Sequence, residues 1–222
     1  MSRENTTGLR SDGRETREHI IECAGKIFAR DGYYKATSKE ICEAAGVNQA
    51  AVNYHFGSRD GLYESVLAEA HRHIIDLEAL RALSEKPWSA REKILAVLDR
   101  LVENIGNTED WYIRVWIREI MTPSPSVDRI LEETALPKFK VVRDFWRDYL
   151  ETDDSARIYA AMLAFFTPFL FCLVGEGKAP SKHVPNPPEK QVFLTTLRTQ
   201  AERILDMVRQ TGSREESLKK TI

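Results

Sequence analysis

"TSKEICEAAGVNQAAVNYHFGSRDGL", residues 37–62, sets two short helix-forming runs on either side of "AAGVN" and then restarts at "GSRDG". Thr37 suits a helix cap, with Glu40 three residues on as the other half of a capping box. Gly46 supplies the left-handed stop. Asn48 caps the next helix, which runs to about His55 before Gly57 breaks it, and Ser58 caps a fourth. The helix after Asn48 has two unlike faces. Val47, Val52 and Phe56 turn back towards the preceding helices, while Gln49, Ala50, Asn53 and Tyr54 lie on the other side.

Two short helices joined in this way form a helix-turn-helix, whose second helix enters the DNA major groove and touches base edges with its N-terminal residues. Asn and Gln present the donor and acceptor pair that matches adenine N6 and N7, and a small Ala allows contact with a thymine methyl. Asn48, Gln49, Ala50 and Asn53 are therefore the candidate readers. Thr37, Lys39, Tyr54, His55 and Arg59 are placed to bind phosphate oxygens, which fix register without reading sequence. The alternative is an ordinary solvated surface, since helical hairpins with polar turns are common.

Outward from this stretch the apolar periodicity stays helical, and the expected fold class is all-α. Ile20, Ile21, Ala24, Ile27 and Phe28 form one buried face of a first helix that Gly32 ends. Leu62, Val66, Ala70, Ile74 and Leu77 form a stripe on a long fourth helix, read as one rigid element. Further helices are expected over residues 90–105, 109–121, 127–150, 155–174 and 189–210. The resulting plan is a flexible arm (1–13), a helix-turn-helix domain (14–60), a connecting helix (61–82), a C-terminal helical ligand-binding and dimerisation domain (83–210) and a flexible tail (211–222).

Composition removes several classes. The chain has 222 residues, 42% of them hydrophobic, enough for a buried core. Lys+Arg 32 against Asp+Glu 34 leaves a net charge of -2, so nucleic-acid binding must rest on local pattern. Cys23, Cys42 and Cys172 form no CxxC pair and read as reduced thiols, consistent with a cytoplasmic location. The N-terminal residues lack the apolar run of a secretory signal. Residues 159–174 are sixteen uncharged residues containing Pro168, shorter than the roughly 20 needed to span a bilayer, so no membrane partner is expected.

His71 and His73 are two apart and diverge on a helix, and His19 and His183 are isolated, so neither metal nor cofactor is expected. GxSxG, GxxxxGK[ST], HExxH and paired-cysteine signatures are all lacking. An enzyme remains one rival reading, and a helical adaptor that binds only protein remains another.

The residue 155–174 segment is apolar all round and must be covered on several faces. With the stripe Phe193, Leu197, Ala201, Ile204 and Val208 it could form half of an intersubunit four-helix bundle. Phe165, Phe169, Leu173, Phe193, Leu197 and Ile204 are the expected homodimer contacts, and a two-fold dimer would present two reading helices roughly 34–36 Å apart to a palindromic duplex. Trp111, Val115, Arg118, Trp146, Tyr159, Met162 and Phe166 are candidates to line a pocket for a small hydrophobic or amphipathic ligand, with core packing as the alternative for any one of them. Arg114, Arg118 and Glu119 could be polar groups of such a pocket or an ordinary solvated face, and charge at helical spacing favours the solvated face.

The stretch from Arg14 to Leu67, with "IFARDGYYKAT", "SKEICEAAGV" and "NYHFGSRDGLYESVL", resembles the TetR family of bacterial transcriptional regulators. The resemblance implies a three-helix DNA-binding head, a ligand-binding and dimerising body, and repression relieved by a small molecule. Where most members carry an aromatic residue this chain has Asn53, so the resemblance does not carry over the usual phosphate contact there and leaves room for a base contact. "WIREIMTPSPSVDRILEETALPKF" is similar to the CecR-related subgroup, associated with control of membrane transport and sensitivity to antibacterial compounds. The continuity of Leu62 to Leu77 leads to the expectation of a two-state dimer in which a ligand between the central helices biases the tilt of the fourth helix and so the separation of the two heads.

Overall fold

The computed structural model describes residues 5–106, 110–174 and 189–219, and among these all regular structure is helical, as expected. In chain order the α-helices are α1 (Asn5–Asp31), α2 (Ser38–Ala45), α3 (Gln49–Phe56), α4 (Arg59–Ile74), α5 (Leu77–Glu85), α6 (Ala90–Gly106), α7 (Trp111–Met121), α8 (Val127–Ile130), α9 (Leu136–Leu150), α10 (Ser155–Val174) and α11 (Lys190–Lys219).

Several expected boundaries move. The arm expected over residues 1–13 is helical from Asn5, and α11 runs on to Lys219, into the expected tail. The fourth helix does not reach Leu77. It ends at Ile74, and Asp76, extended at φ -87 and ψ 133, caps α5 by accepting from the Glu78 N–H at 2.7 Å. A short carboxylate that can take a backbone N–H two residues on favours a new start over continuation. The single helix expected over 127–150 is α8, one π-helical turn at Leu131–Ala135, and α9. Pro137, at the start of α9, has no N–H for the Glu133 carbonyl, and the wider turn takes up the mismatch.

The chain divides into two compact units. The first holds α1–α4 up to His73 together with α7 and α8, so residues 110–134 group with the N-terminal helices and not with the body expected over 83–210. Its core is built from Ile20, Ala24 and Phe28 of α1, Ile41 of α2, Val52 of α3, Leu62, Tyr63, Val66 and Leu67 of α4, and Trp111 and Val115 of α7. Burial of each such large apolar side chain contributes about 1.5–3 kcal/mol.

Gly25 explains why α7 belongs here. The Trp111 ring lies over it so closely that a Cβ at position 25 would stand 2.4 Å from Cε3. The indole Nε1 donates to Glu22 Oε2 at 2.8 Å. Further along α7, Arg118 donates from Nε to the Ala29 carbonyl and from Nη2 to the Arg30 carbonyl, each at 2.6 Å. These are acceptors in the last turn of α1 that have no partner within their own helix.

The second unit contains α5, α6, α9, α10 and α11. Leu80, Ile94, Leu98, Phe145, Trp146, Ile158, Met162, Phe165, Phe169, Leu194 and Leu205 fill its interior. The Tyr149 hydroxyl donates to the Leu205 carbonyl at 3.0 Å, and Arg198 pairs with Asp99, tying α11 to α9 and α6. α10 runs through Pro168. By length and composition its stretch Ser155–Cys172, mean hydropathy 1.4, would suffice to cross a membrane, which the shorter sequence window did not indicate. A mostly buried core helix passes the same test, but here only 28% of the stretch is buried, with Ile158, Ala161, Met162, Phe165 and Phe169 turned into the unit.

Candidate nucleic-acid interface

The turn between α2 and α3 is set by local chemistry. Thr37 Oγ1 accepts from the Glu40 N–H at 3.2 Å, which opens α2 as expected. The reciprocal half of the capping box is missing, because the Glu40 carboxylate pairs with Arg30 of α1 instead. Gly46 adopts φ 64 and closes α2, with the Val47 N–H donating to the Cys42 carbonyl at 3.0 Å. A left-handed residue at this corner costs an L side chain strain that glycine escapes. Asn48 Oδ1 then accepts from the Ala51 N–H at 3.0 Å and opens α3.

Val52 is buried, and Val47 and Phe56 pack against the first unit's core, so the inward face of α3 is the expected one. Gln49, Ala50, Asn53 and Tyr54 are exposed, Tyr54 to 85%. Gln49 Nε2 donates to Asn53 Oδ1 at 3.1 Å, and the Cys42 thiol lies 3.7 Å from Gln49 Oε1. The two amides therefore stand one turn apart on one face, joined to each other, with open space outside them. The Tyr54 and His55 rings meet edge to face at 5.0 Å.

Lys39 is exposed, 3.8 Å from Glu43. Thr37 and Lys39 lie at the start of α2. Arg59 does not join them. Its guanidinium donates to the carbonyls of Tyr33 and Ala36 and lies 4.4 Å from the Tyr33 ring centre, so the expected phosphate contact is replaced by an internal one. A partly buried cation bonded to two carbonyls holds the α1–α2 loop in place.

A buried carboxylate on α7 was missed. Glu119, 1% exposed, accepts from the Tyr63 hydroxyl at 2.7 Å, the Ser124 N–H at 3.0 Å and the Ser124 hydroxyl at 2.7 Å. Burial, reinforced by the bond to Glu119, pushes the Tyr63 hydroxyl well above its ordinary pKa. The signal was present in the sequence: Trp111, Val115 and Glu119 recur every four residues and share one face of α7, so Glu119 lies on the apolar stripe and not on the solvated side.

The residues expected to line one pocket are divided between the units. Trp111 and Val115 are core residues of the first, and Arg118 binds the end of α1. Trp146, Met162, Phe166 and Tyr159 belong to the second. Trp146 is fully buried, with Phe165 and Phe166 edge-on at 5.1 and 6.2 Å, and its Nε1 is the one buried side-chain polar atom without a partner among the described residues. Tyr159 is exposed and stacks on Phe139 at 5.8 Å.

The expected dimer contacts need a similar correction. Phe165 and Phe169 are 0% and 1% exposed within a single chain, because they face α9 and the unit's interior. Phe193, Leu197 and Ile204 are half-buried, and the Leu173 side chain lies outside the described residues, as does His183. The exposed apolar face of α10 is instead Tyr159, Leu163, Leu170 and Phe171, the last 74% exposed, with Val192 and Met207 exposed on α11.

Residues 20–66 match the family model for bacterial regulatory proteins of the tetR family, and residues 90–176 match the model for the C-terminal domain of the HTH-type transcriptional dual regulator CecR. The chain is 30% identical over 96 residues to the HTH-type transcriptional regulator AcrR of Shigella flexneri, covering 42% of this chain and 45% of that protein. It is 33% identical over 90 residues to the uncharacterized HTH-type transcriptional regulator TtgW of Pseudomonas putida, covering 40% of this chain and 65% of the relative. Each match thus spans less than two thirds of the relative's own length. The transcriptional regulator FadR of Bacillus subtilis, solved in complex with stearoyl-CoA, shares the fold at a TM-score of 0.60 and 15% identity, over 86% of this chain and 96% of that one. With a capped helix-turn-helix followed by a helical body, and both segments matched in order, the chain belongs to the TetR family of bacterial regulatory proteins.

Proposed function

We propose that this chain is a sequence-specific DNA-binding regulator of transcription, acting in the cytoplasm as a homodimer on a palindromic duplex and released from it by a small hydrophobic or amphipathic ligand. The outer face of α3 carries the reading. Gln49, Ala50, Asn53 and Tyr54 stand exposed on a helix whose start is fixed by the Asn48 cap and whose back is fixed by buried Val52. Gln49 and Asn53 read base edges, with adenine the best match for their amides. Thr37, Lys39, Tyr54 and His55 hold phosphates.

A second copy is the occupant proposed for the apolar face formed by Leu163, Leu170 and Phe171, with Phe193, Leu197 and Ile204 beside it on α11. A closed two-fold dimer covers this surface and supplies two reading heads. For the ligand, the support is the aromatic interior around Trp146, Met162 and Phe166 with one unpaired indole N–H, and the acyl-CoA complex of the structural neighbour. Repression is the sign expected from the family.

The test is selection from randomised duplexes, followed by titration of wild type and Gln49→Ala/Asn53→Ala at two salt concentrations. A palindromic consensus bound by wild type and lost in the double variant is the expected result. Equal retention of selected and random duplexes by both proteins would overturn the reading and leave a protein-binding adaptor.

A further inference from the structure

The first unit contains a cleft of about 310 Å³ that is separate from both the α3 face and the interior of the second unit. Its walls are Asp31, Gly32, Tyr33, Tyr34 and Lys35 of the α1–α2 loop, Tyr63 of α4, and Ile117, Arg118, Met121 and Thr122 of α7. This volume lies at the small end of the range for ligand pockets. The Tyr34 hydroxyl donates to the Pro123 carbonyl at 3.1 Å and spans one side, while Tyr34 and Met121 are 65% and 63% exposed.

The charges in the cleft are unequal. Asp31 takes both of its carboxylate bonds from Arg30, which it shares with Glu40, and also feels the Arg118 and Lys35 charges. Arg118 uses Nε and Nη2 on the Ala29 and Arg30 carbonyls, leaving Nη1 as the donor that faces Gly32, 3.8 Å from where a Cβ would stand there. Lys35 forms no ion pair among those described. The Tyr33 and Tyr63 hydroxyls are spent on Asp60 and Glu119, so these rings offer their apolar surfaces. Flat aromatic walls, a flexible thioether and two cationic donors in one small cleft select a planar apolar body carrying a single negative charge.

We infer that this cleft binds a small planar organic carboxylate, with the ring between Tyr34 and Met121 and the carboxylate on Arg118 Nη1 and Lys35 Nζ. The Gly32–Ala36 loop it would grip leads directly into the Thr37 cap of α2, so occupancy stiffens the entry to the helix-turn-helix. The inference is independent of the proposed DNA reading, and its test uses no DNA.

Benzoate serves as the probe and benzamide, its uncharged isostere, as the control. Both are titrated into the full-length, isotope-labelled protein and followed by amide and methionine-methyl NMR. Benzoate is expected to give saturable shifts at Tyr33, Tyr34, Lys35 and Met121, with benzamide at least fivefold weaker. Lys35→Gln, a change at an exposed residue, should weaken benzoate at least threefold and leave benzamide unchanged. Absence of benzoate shifts at those four residues overturns the inference. Equal responses to the two probes, or unchanged benzoate binding in Lys35→Gln, do so too.

Discussion

Replacing Gly25 with alanine measures how α7 is held in the first unit. The new Cβ would stand 2.4, 2.5 and 2.6 Å from Cε3, Cζ3 and Cδ2 of Trp111, so the indole must withdraw by about 1 Å to reach ordinary contact. Overpacking of this kind costs about 1–3 kcal/mol. Withdrawal also stretches the Nε1 bond to Glu22, now 2.8 Å; a hydrogen bond to a charged acceptor is worth about 1.5–3 kcal/mol. Alanine returns about 0.5–1 kcal/mol through its better helix propensity. The net expectation is a loss of about 2–4 kcal/mol, or a fall in Tm of about 5–15 °C at this chain length. Circular dichroism during urea and thermal unfolding reads it directly. Trp111→Leu, made alone and together with Gly25→Ala, completes a cycle in which the two changes should couple by more than about 1 kcal/mol, because the smaller side chain relieves the clash. A Gly25→Ala protein as stable as wild type would refute the account of the α1–α7 contact.

Tyr63→Phe removes one of three donors to the buried Glu119 carboxylate and should cost about 1–3 kcal/mol in urea unfolding; no change would mean that water replaces the hydroxyl freely. Arg59 and Lys39 should separate into different roles. Arg59→Ala, which frees two loop carbonyls, is expected to lower Tm, whereas Lys39→Ala should leave Tm alone and reduce the salt dependence of duplex binding by about 0.9 in log–log slope; the reverse pattern would exchange the assignments. Leu163→Glu with Phe171→Glu should yield a folded monomer by sedimentation velocity, and a persistent dimer would place the interface elsewhere.

The helix-turn-helix was legible because its determinants are local: a capping hydroxyl at Thr37, a left-handed glycine at position 46 and a capping amide at Asn48 each act within four residues of themselves. What failed to show was long-range. The stripe on α7 announces a buried face but not which helix covers it, and only Gly25, a lone glycine inside an apolar helical run, hints at the partner. Arg59 and Arg118 read as surface cations because their acceptors are backbone carbonyls distant in sequence. On α10, apolar all round, the sequence offers no contrast by which to tell Phe165, turned inward, from Phe171, turned out.

The first unit is assembled from two separated stretches of chain, and this bears on biosynthesis. At roughly 5–20 residues per second, a ribosome takes about 3–12 s to pass from His73 to Thr134. Within that interval Trp111, Val115 and Ile130 are added one after another to complete the core begun by Ile20, Phe28 and Val66. Truncated or stalled products ending before Ile130 thus carry α3 on an unfinished core, a form suited to capture by chaperones and proteases.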